Sequence, residues 1–144
     1  MEATTAPRQE WTFAQWAVVI VISLQLVWAL AGLIAEPSID FGDDAVTEKV
    51  LGVDFNGVHA LSGFLLFLPA YYFALKPRWA LLYAIYVAVA LITTGIWAAF
   101  STSPAGIFTF PNNDADAVLH IATGVLFGVV AAIQHGLDRQ ARGS

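Results

Sequence analysis

The chain contains no cysteine among its 144 residues. Disulfides, thiolate metal sites, iron–sulfur clusters and thioether-attached haem are thereby excluded. Charge is the second scarcity. Asp, Glu, Lys and Arg make up 12% of the chain, about half the ~25% usual in soluble domains. Six basic side chains face eleven acidic ones, for a net charge of −5. So little positive charge leaves no basic patch to hold a phosphate backbone, so no nucleic-acid partner is expected. Catalytic signatures are missing too. There is no nucleophile–base spacing, phosphate-binding loop or zinc-protease motif, so an enzyme is not expected.

What the chain has in quantity is apolar residues, 58% of the total, with a mean hydropathy of +0.70. They come in blocks. Residues 13–35, 55–75, 79–100 and 117–135 carry no Asp, Glu, Lys or Arg. Each block is close to the ~20 residues that cross a hydrocarbon core as a helix. The expected fold is an all-α membrane protein, one domain over residues 1–144. Four transmembrane helices, about 13–35, 56–75, 79–100 and 117–135, form an up-and-down bundle in the lipid bilayer. The first block is read as an uncleaved span. Arg8 is outweighed by Glu2 and Glu10 before it, and the block is longer than the apolar core of a signal peptide.

Positive charge sorts to one side of this map. Arg8, Lys76, Arg78, Arg139 and Arg142 share a side, which the positive-inside rule assigns to the cytoplasm. The expected location is the cell (plasma) membrane, with both termini cytoplasmic. The outer side is acidic. Glu36, Asp40, Asp43, Asp44, Glu48 and Asp54 crowd the first loop, residues 36–55, against Lys49 alone, and Asp114 and Asp116 follow in the second. That acidity is read as a solvated surface. Trp11, Trp16, Tyr71, Tyr72 and Trp79 fall near the inner interface, and Phe108 and Phe110 near the outer one.

Between the spans, the segment from Asp43 to Leu51, bracketed by Gly42 and Gly52, suits a short amphipathic surface helix. Lys76-Pro77-Arg78 is a tight inner link, with Pro77 stopping the second helix. Pro104 and Pro111 keep the second outer loop irregular, and Asn112, Asn113 or Asp114 is the expected cap of the fourth helix.

Two of these helices open alike. Asn56-x-x-His59-x-x-x-Gly63 begins the second, and Asp116-x-x-x-His120-x-x-x-Gly124 begins the fourth. Aligning the histidines aligns the glycines, which points to a parallel two-helix internal repeat about the membrane normal. These motifs resemble those of a family of small four-span prokaryotic membrane proteins known as a domain of unknown function. There a second helix opens with Asn, His and Gly, and an Asn-x-Ala-Asp segment precedes Leu-His and Gly. Asn113-Asp114-Ala115-Asp116, Leu119-His120 and Gly124 match the latter. The resemblance covers roughly residues 13 to 135. Gly57 and Ala60 stand where bulkier residues are usual, and Ala117 where Asn is frequent. The resemblance implies a topology and a motif, and no activity.

An ionisable group just inside a lipid-facing run is costly and tends to be functional. Three readings of His59 and His120 stay open. In the first, no cofactor is bound. Each imidazole bonds a side chain or loop carbonyl and ties an outer loop to a helix top, with Asn56 and Asp116 as caps or partners. In the second, both rings ligate haem b, and Gly63 and Gly124 let the porphyrin approach the backbone. In the third, His59, His120 and Asp116, with Asp114, offer nitrogen and oxygen ligands to zinc or copper. His135 suits the C-terminal end of the last helix. Gln15, Ser23, Gln25 and Thr93-Thr94-Gly95 are read as helix-packing groups. The functional expectation is a non-catalytic structural or accessory component of a membrane assembly, as a homo-oligomer or within a larger complex. A haem b electron carrier and an outer-face metal-binding protein are the alternatives.

Overall fold

Thr12 and Gln15 open the first helix with a reciprocal cap. Thr12 Oγ1 accepts from the Gln15 backbone N–H at 3.3 Å, and Gln15 Oε1 accepts from that of Thr12 at 2.9 Å. Two donors that a helix start leaves unpaired are thus satisfied. Helix α1 then runs Phe13–Ala35, over the charge-free block. The computed structural model describes residues 10–42, 44–101 and 113–143. Arg8, Asp43, Pro104, Phe108, Phe110, Pro111 and Asn112, singled out above, lie outside these.

The segment after α1 does not form the expected amphipathic helix. It forms an antiparallel hairpin, β1 (Glu48–Val50) and β2 (Val53–Phe55), with Glu48 opposite Phe55, Lys49 opposite Asp54 and Val50 opposite Val53. Leu51 and Gly52 make the turn at φ 54° and 90°. Two successive positive φ values suit a two-residue hairpin loop, so Gly52 turns a strand where a helix boundary was expected. Lys49 Nζ meets Asp54 Oδ1 across the strands at 2.7 Å. Val53 and Phe55 are buried, the alternation of a strand with one covered face.

The second helix is also corrected. It is not continuous over 56–75. Helix α2 (Gly57–Phe67) stops, and α3 (Ala70–Phe73) resumes after Leu68 and Pro69. Pro69 has no N–H for the carbonyl one turn back, and its ring crowds that carbonyl. The Tyr83 hydroxyl donates to the Leu66 carbonyl beside this break, and Ser23 Oγ lies 2.8 Å from the Tyr71 hydroxyl beyond it. Pro77, expected to end the second helix, opens the next one, where a missing N–H costs nothing.

Helix α4 runs Pro77–Ala98 and helix α5 Asp114–Gly143. The latter extends well past residue 135. Its last turns are polar, and Gln134 Nε2 donates to Asp138 Oδ1 at 2.7 Å within them. Apolar length sets where a span can end, whereas helix formers carry the helix on.

The α4–α5 contact is the most extensive, and α1 lies against α2. Small residues permit this closeness. A Cβ on Gly95 would stand 2.7 Å from the Ala117 carbonyl oxygen, and one on Gly124 3.0 Å from that of Ala88. One buried cluster joins Ala14, Val18 and Ile22 of α1, Val87 and Leu91 of α4, and Phe127 and Val130 of α5. Gln15 Nε2 donates to the Ala74 carbonyl at 2.7 Å, and Gln134 Oε1 accepts from the Ala14 N–H at 3.0 Å. These are the helix-tying roles expected of buried amides. Among the described residues, α1, α4 and α5 are long and apolar enough to cross a membrane, and the broken Gly57–Phe73 helix is shorter.

Candidate functional site

Two asparagines shape the hairpin end of the molecule, and both cap helices. Asn56 Oδ1 accepts from the His59 backbone N–H at 3.1 Å, while its Nδ2 donates to the Asp40 carbonyl at 2.9 Å. Asn113 Oδ1 accepts from the Asp116 N–H at 3.0 Å, so Asn113 is the cap of α5 among the candidates considered. Its Nδ2 donates to the Gly52 carbonyl at 3.0 Å and to Asp54 Oδ2 at 2.8 Å. Each asparagine thus starts a helix and holds a loop to it. The loop packs closely. A Cβ on Gly57 would fall 2.6 Å from the Pro37 carbonyl oxygen.

These caps set the two helices in register. Three residues beyond its cap, α2 presents His59. At the same offset α5 presents Asp116, and His120 follows one turn later. The histidine alignment of the two motifs therefore differs by one turn from the alignment of the helix starts. The offset lets a carboxylate from one helix meet an imidazole from the other.

The rings of His59 and His120 have centroids 6.1 Å apart, with planes inclined by 27°. His59 Nδ1 lies 3.1 Å from the Asp54 carbonyl oxygen. A carbonyl only accepts, so Nδ1 carries the proton, and in the neutral ring Nε2 is the nitrogen with the free lone pair. That nitrogen is 3.6 Å from Asp116 Oδ1. His120 Nδ1 is 2.9 Å from the Asp116 carbonyl oxygen and 3.0 Å from Asp116 Oδ1. Its N–H satisfies the carbonyl. Asp116 is only 4% exposed, and its Oδ1 remains buried without a hydrogen bond. Burying a carboxylate oxygen without a hydrogen bond is costly, and a cation beside it offsets the cost. Among the described residues, only the two imidazoles lie within ion-pair distance of this carboxylate.

One ligand atom from each of His59, Asp116 and His120 lies within 4.8 Å of the others. Around a tetrahedral zinc with bonds near 2.0–2.2 Å, ligand atoms stand about 3.4 Å apart. Asp116 lies in the first turn of α5, where a helix start favours negative charge.

The three side chains face a cavity of about 180 Å³. Gly63 lines it as well. Gly124 packs against α4 instead, and Asp114 is exposed at the start of α5. His135 is exposed, but α5 runs on to Gly143, so it does not sit at the helix C-terminus as expected. Gln25 and Thr123 also line the cavity and bond each other, Nε2 to Oγ1 at 3.0 Å.

Three participants carried no motif. Phe55 stacks on His59, centroids 4.3 Å apart and planes inclined by 17°. Trp28, from α1, lies 6.2 Å from Phe55 and lines the cavity. Asp54 holds both the imidazole and the α5 cap. The alternation through Val53 and Phe55 was a signal for the strand that places Asp54 and Phe55. Trp28 gave none, being one aromatic in a charge-free run.

Neither a curated protein nor a solved structure matches the chain. A family model does, over residues 15–133, from the middle of the Thr12–Gln15 cap to the last buried turn of α5. That span contains the hairpin, both capping asparagines and all three residues around the cavity. By that match the chain belongs to the family described as a domain of unknown function, DUF4383.

Proposed function

We propose that the protein is a four-span, non-catalytic membrane component that holds one divalent transition-metal ion through His59, Asp116 and His120. The single observation that carries this is the buried Asp116 Oδ1, without a hydrogen bond, beside two imidazoles. Two nitrogens and one carboxylate oxygen suit zinc, copper(II) or iron(II). The ion would complete a site that also joins the hairpin, α2 and α5. The expected tying role of the imidazoles and the metal-binding role thus coincide.

The membrane setting is part of the same reading. The broken Gly57–Phe73 helix serves as the fourth span, its break sheltered by Tyr83 and Tyr71. Trp11, Trp16, Tyr71, Tyr72 and Trp79 are all at least two-fifths exposed at the end away from the hairpin, as an interfacial aromatic belt requires. Lys76, Arg78, Arg139 and Arg142 lie at that end. It is the cytoplasmic end in this reading, at the plasma membrane, and the metal site lies toward the outer surface. A homo-oligomer or a larger membrane complex is the setting for such an accessory component.

The haem b alternative uses the same two rings. A cavity of about 180 Å³ is below the ~300 Å³ at which small-molecule pockets begin. The volume, and an Asp116 oxygen within 3.6 Å of a nitrogen of each ring, favour an ion over a porphyrin. The test is titration of the purified, detergent-solubilised protein, stripped with chelator, with Zn²⁺ and Co²⁺. One ion per chain should bind, and His59→Ala or His120→Ala should abolish binding. Failure to bind, or binding indifferent to both substitutions, would overturn the metal reading. A Soret band in the unstripped protein, lost in either variant, would establish haem instead.

A further inference from the structure

A cation at His59, Asp116 and His120 leaves two features of the cavity unexplained. The first is coordination. Three protein ligands do not complete the shell of a divalent transition metal. Sites of that composition keep an open position for water or another small ligand. The second is Trp28. Its Nε1 is buried and has no hydrogen-bond partner, and the side chain lines the cavity that His59, Asp116 and His120 line. An indole nitrogen can only donate, and a buried indole N–H usually has an acceptor. Neither Gln25 nor Thr123, which bond each other through Nε2 and Oγ1, accepts from it.

Charge decides what kind of acceptor belongs there. A divalent ion on one carboxylate and two neutral imidazoles keeps one uncompensated positive charge. Such a charge is costly in an apolar surrounding, and Phe55, Leu66, Phe67 and Leu91 supply apolar walls here. A monoanion on the metal would cancel it. Size sets the rest. About 180 Å³ equals a few waters at ~30 Å³ each, room for an ion and a ligand of a few atoms.

We infer that the metal's open position faces this cavity and takes a small monoanion, which accepts a hydrogen bond from Trp28 Nε1. The inference rests on the metal reading above and adds to it a ligand class and a residue that selects it. Trp28 does not bind the metal in this arrangement. It holds the anion, so its removal weakens anion binding and spares metal binding.

The experiment uses the whole protein in detergent micelles, loaded with Co²⁺ and titrated with sodium azide while the visible absorption of the cobalt is followed. Azide should shift the cobalt bands saturably in the native protein. Trp28→Phe keeps the ring and removes the N–H. It should bind Co²⁺ as the native protein does and azide about tenfold or more weakly, the loss expected for one hydrogen bond to a charged group. Cobalt bands that azide leaves unmoved would overturn the inference while leaving the metal site standing. Equal azide affinity in Trp28→Phe would overturn the role of Trp28. A native protein that takes up no Co²⁺ would end both the inference and the metal reading, so the two failures are told apart by the cobalt spectrum before azide is added.

Discussion

Asp116 is the residue on which the site turns, because its cost and its use have the same origin. A buried carboxylate oxygen whose ion-pair neighbours are two imidazoles, at 3.0 and 3.6 Å, is held at a cost in the apo-protein, and in the metal reading the same oxygen is what attracts the ion. Asp116→Asn should therefore separate the two. The amide removes the charge and supplies a donor, so the apo-protein should melt at the same temperature or higher. Zn²⁺ affinity should fall by more than the ~10–100-fold that loss of a supporting contact costs at metal sites. Calorimetric titration and thermal melts in one detergent would read both. Unchanged Zn²⁺ affinity would show that the carboxylate is no ligand. Asn113 makes a complementary case. Asn113→Ala removes an α5 cap and the donor to Gly52 and Asp54. Loss of the cap alone costs about 0.5–2 kcal/mol, so chemical denaturation should show at least that, and proteolysis should reach the hairpin sooner. These roles were only partly legible. His59, His120 and Asp116 were visible as titratable groups in apolar runs, and Asn113 as a cap. That the caps offset the two helices by one turn, bringing Asp116 to His59, depends on contacts made across fifty residues and more.

At the scale of elements, the hairpin and the helix break are where local pattern and structure part. The segment from Asp43 to Leu51 has helix-like amphipathicity, but Gly52 with Leu51 admits a left-handed turn, and Val53 and Phe55 gain burial by alternating. Leu51 holds φ 54° while 85% exposed. It pays the left-handed penalty of about 1–2 kcal/mol without packing in return. Leu51→Asn, which tolerates that region better, should raise stability by about 1 kcal/mol or less, seen as a higher thermal midpoint. A lower midpoint would mean that the turn is not left-handed. Pro69 breaks the second helix inside an uncharged run, whereas Pro77, between Lys76 and Arg78, opens the next one. Tyr83 shelters the Leu66 carbonyl there, so Tyr83→Phe should cost about 1–3 kcal/mol by stranding a buried acceptor. Denaturation in micelles measures it, and a neutral result would mean that another donor takes the place of the hydroxyl.

For the whole molecule, the topology carries the clearest test. The chain has no cysteine, so single introduced ones report sidedness without background. In intact cells, Leu51→Cys should react with a membrane-impermeant maleimide, and Arg142→Cys should react only after lysis. The reverse pattern would invert the map and put the site at the cytoplasmic face. The parallel repeat is constrained by the same geometry. The ring centroids of His59 and His120 lie 6.1 Å apart, while the helix starts match Asn56 with Asn113 and His59 with Asp116, so the cap alignment and the motif alignment of such a repeat differ by one turn. The sequence by itself determined the apolar blocks, the sorting of charge and the capping residues. Each is a local property: a hydrocarbon core asks only for about twenty apolar residues, and a cap only for a side-chain acceptor at the right step. Tertiary structure alone decided that two imidazoles and a carboxylate share one cavity and that a tryptophan of α1 faces it. It also decided that one carboxylate oxygen is buried beside them without a hydrogen bond. Those depend on which helix faces slide together, and the close α4–α5 approach at Gly95 and Gly124 sets that by packing, which no single segment encodes.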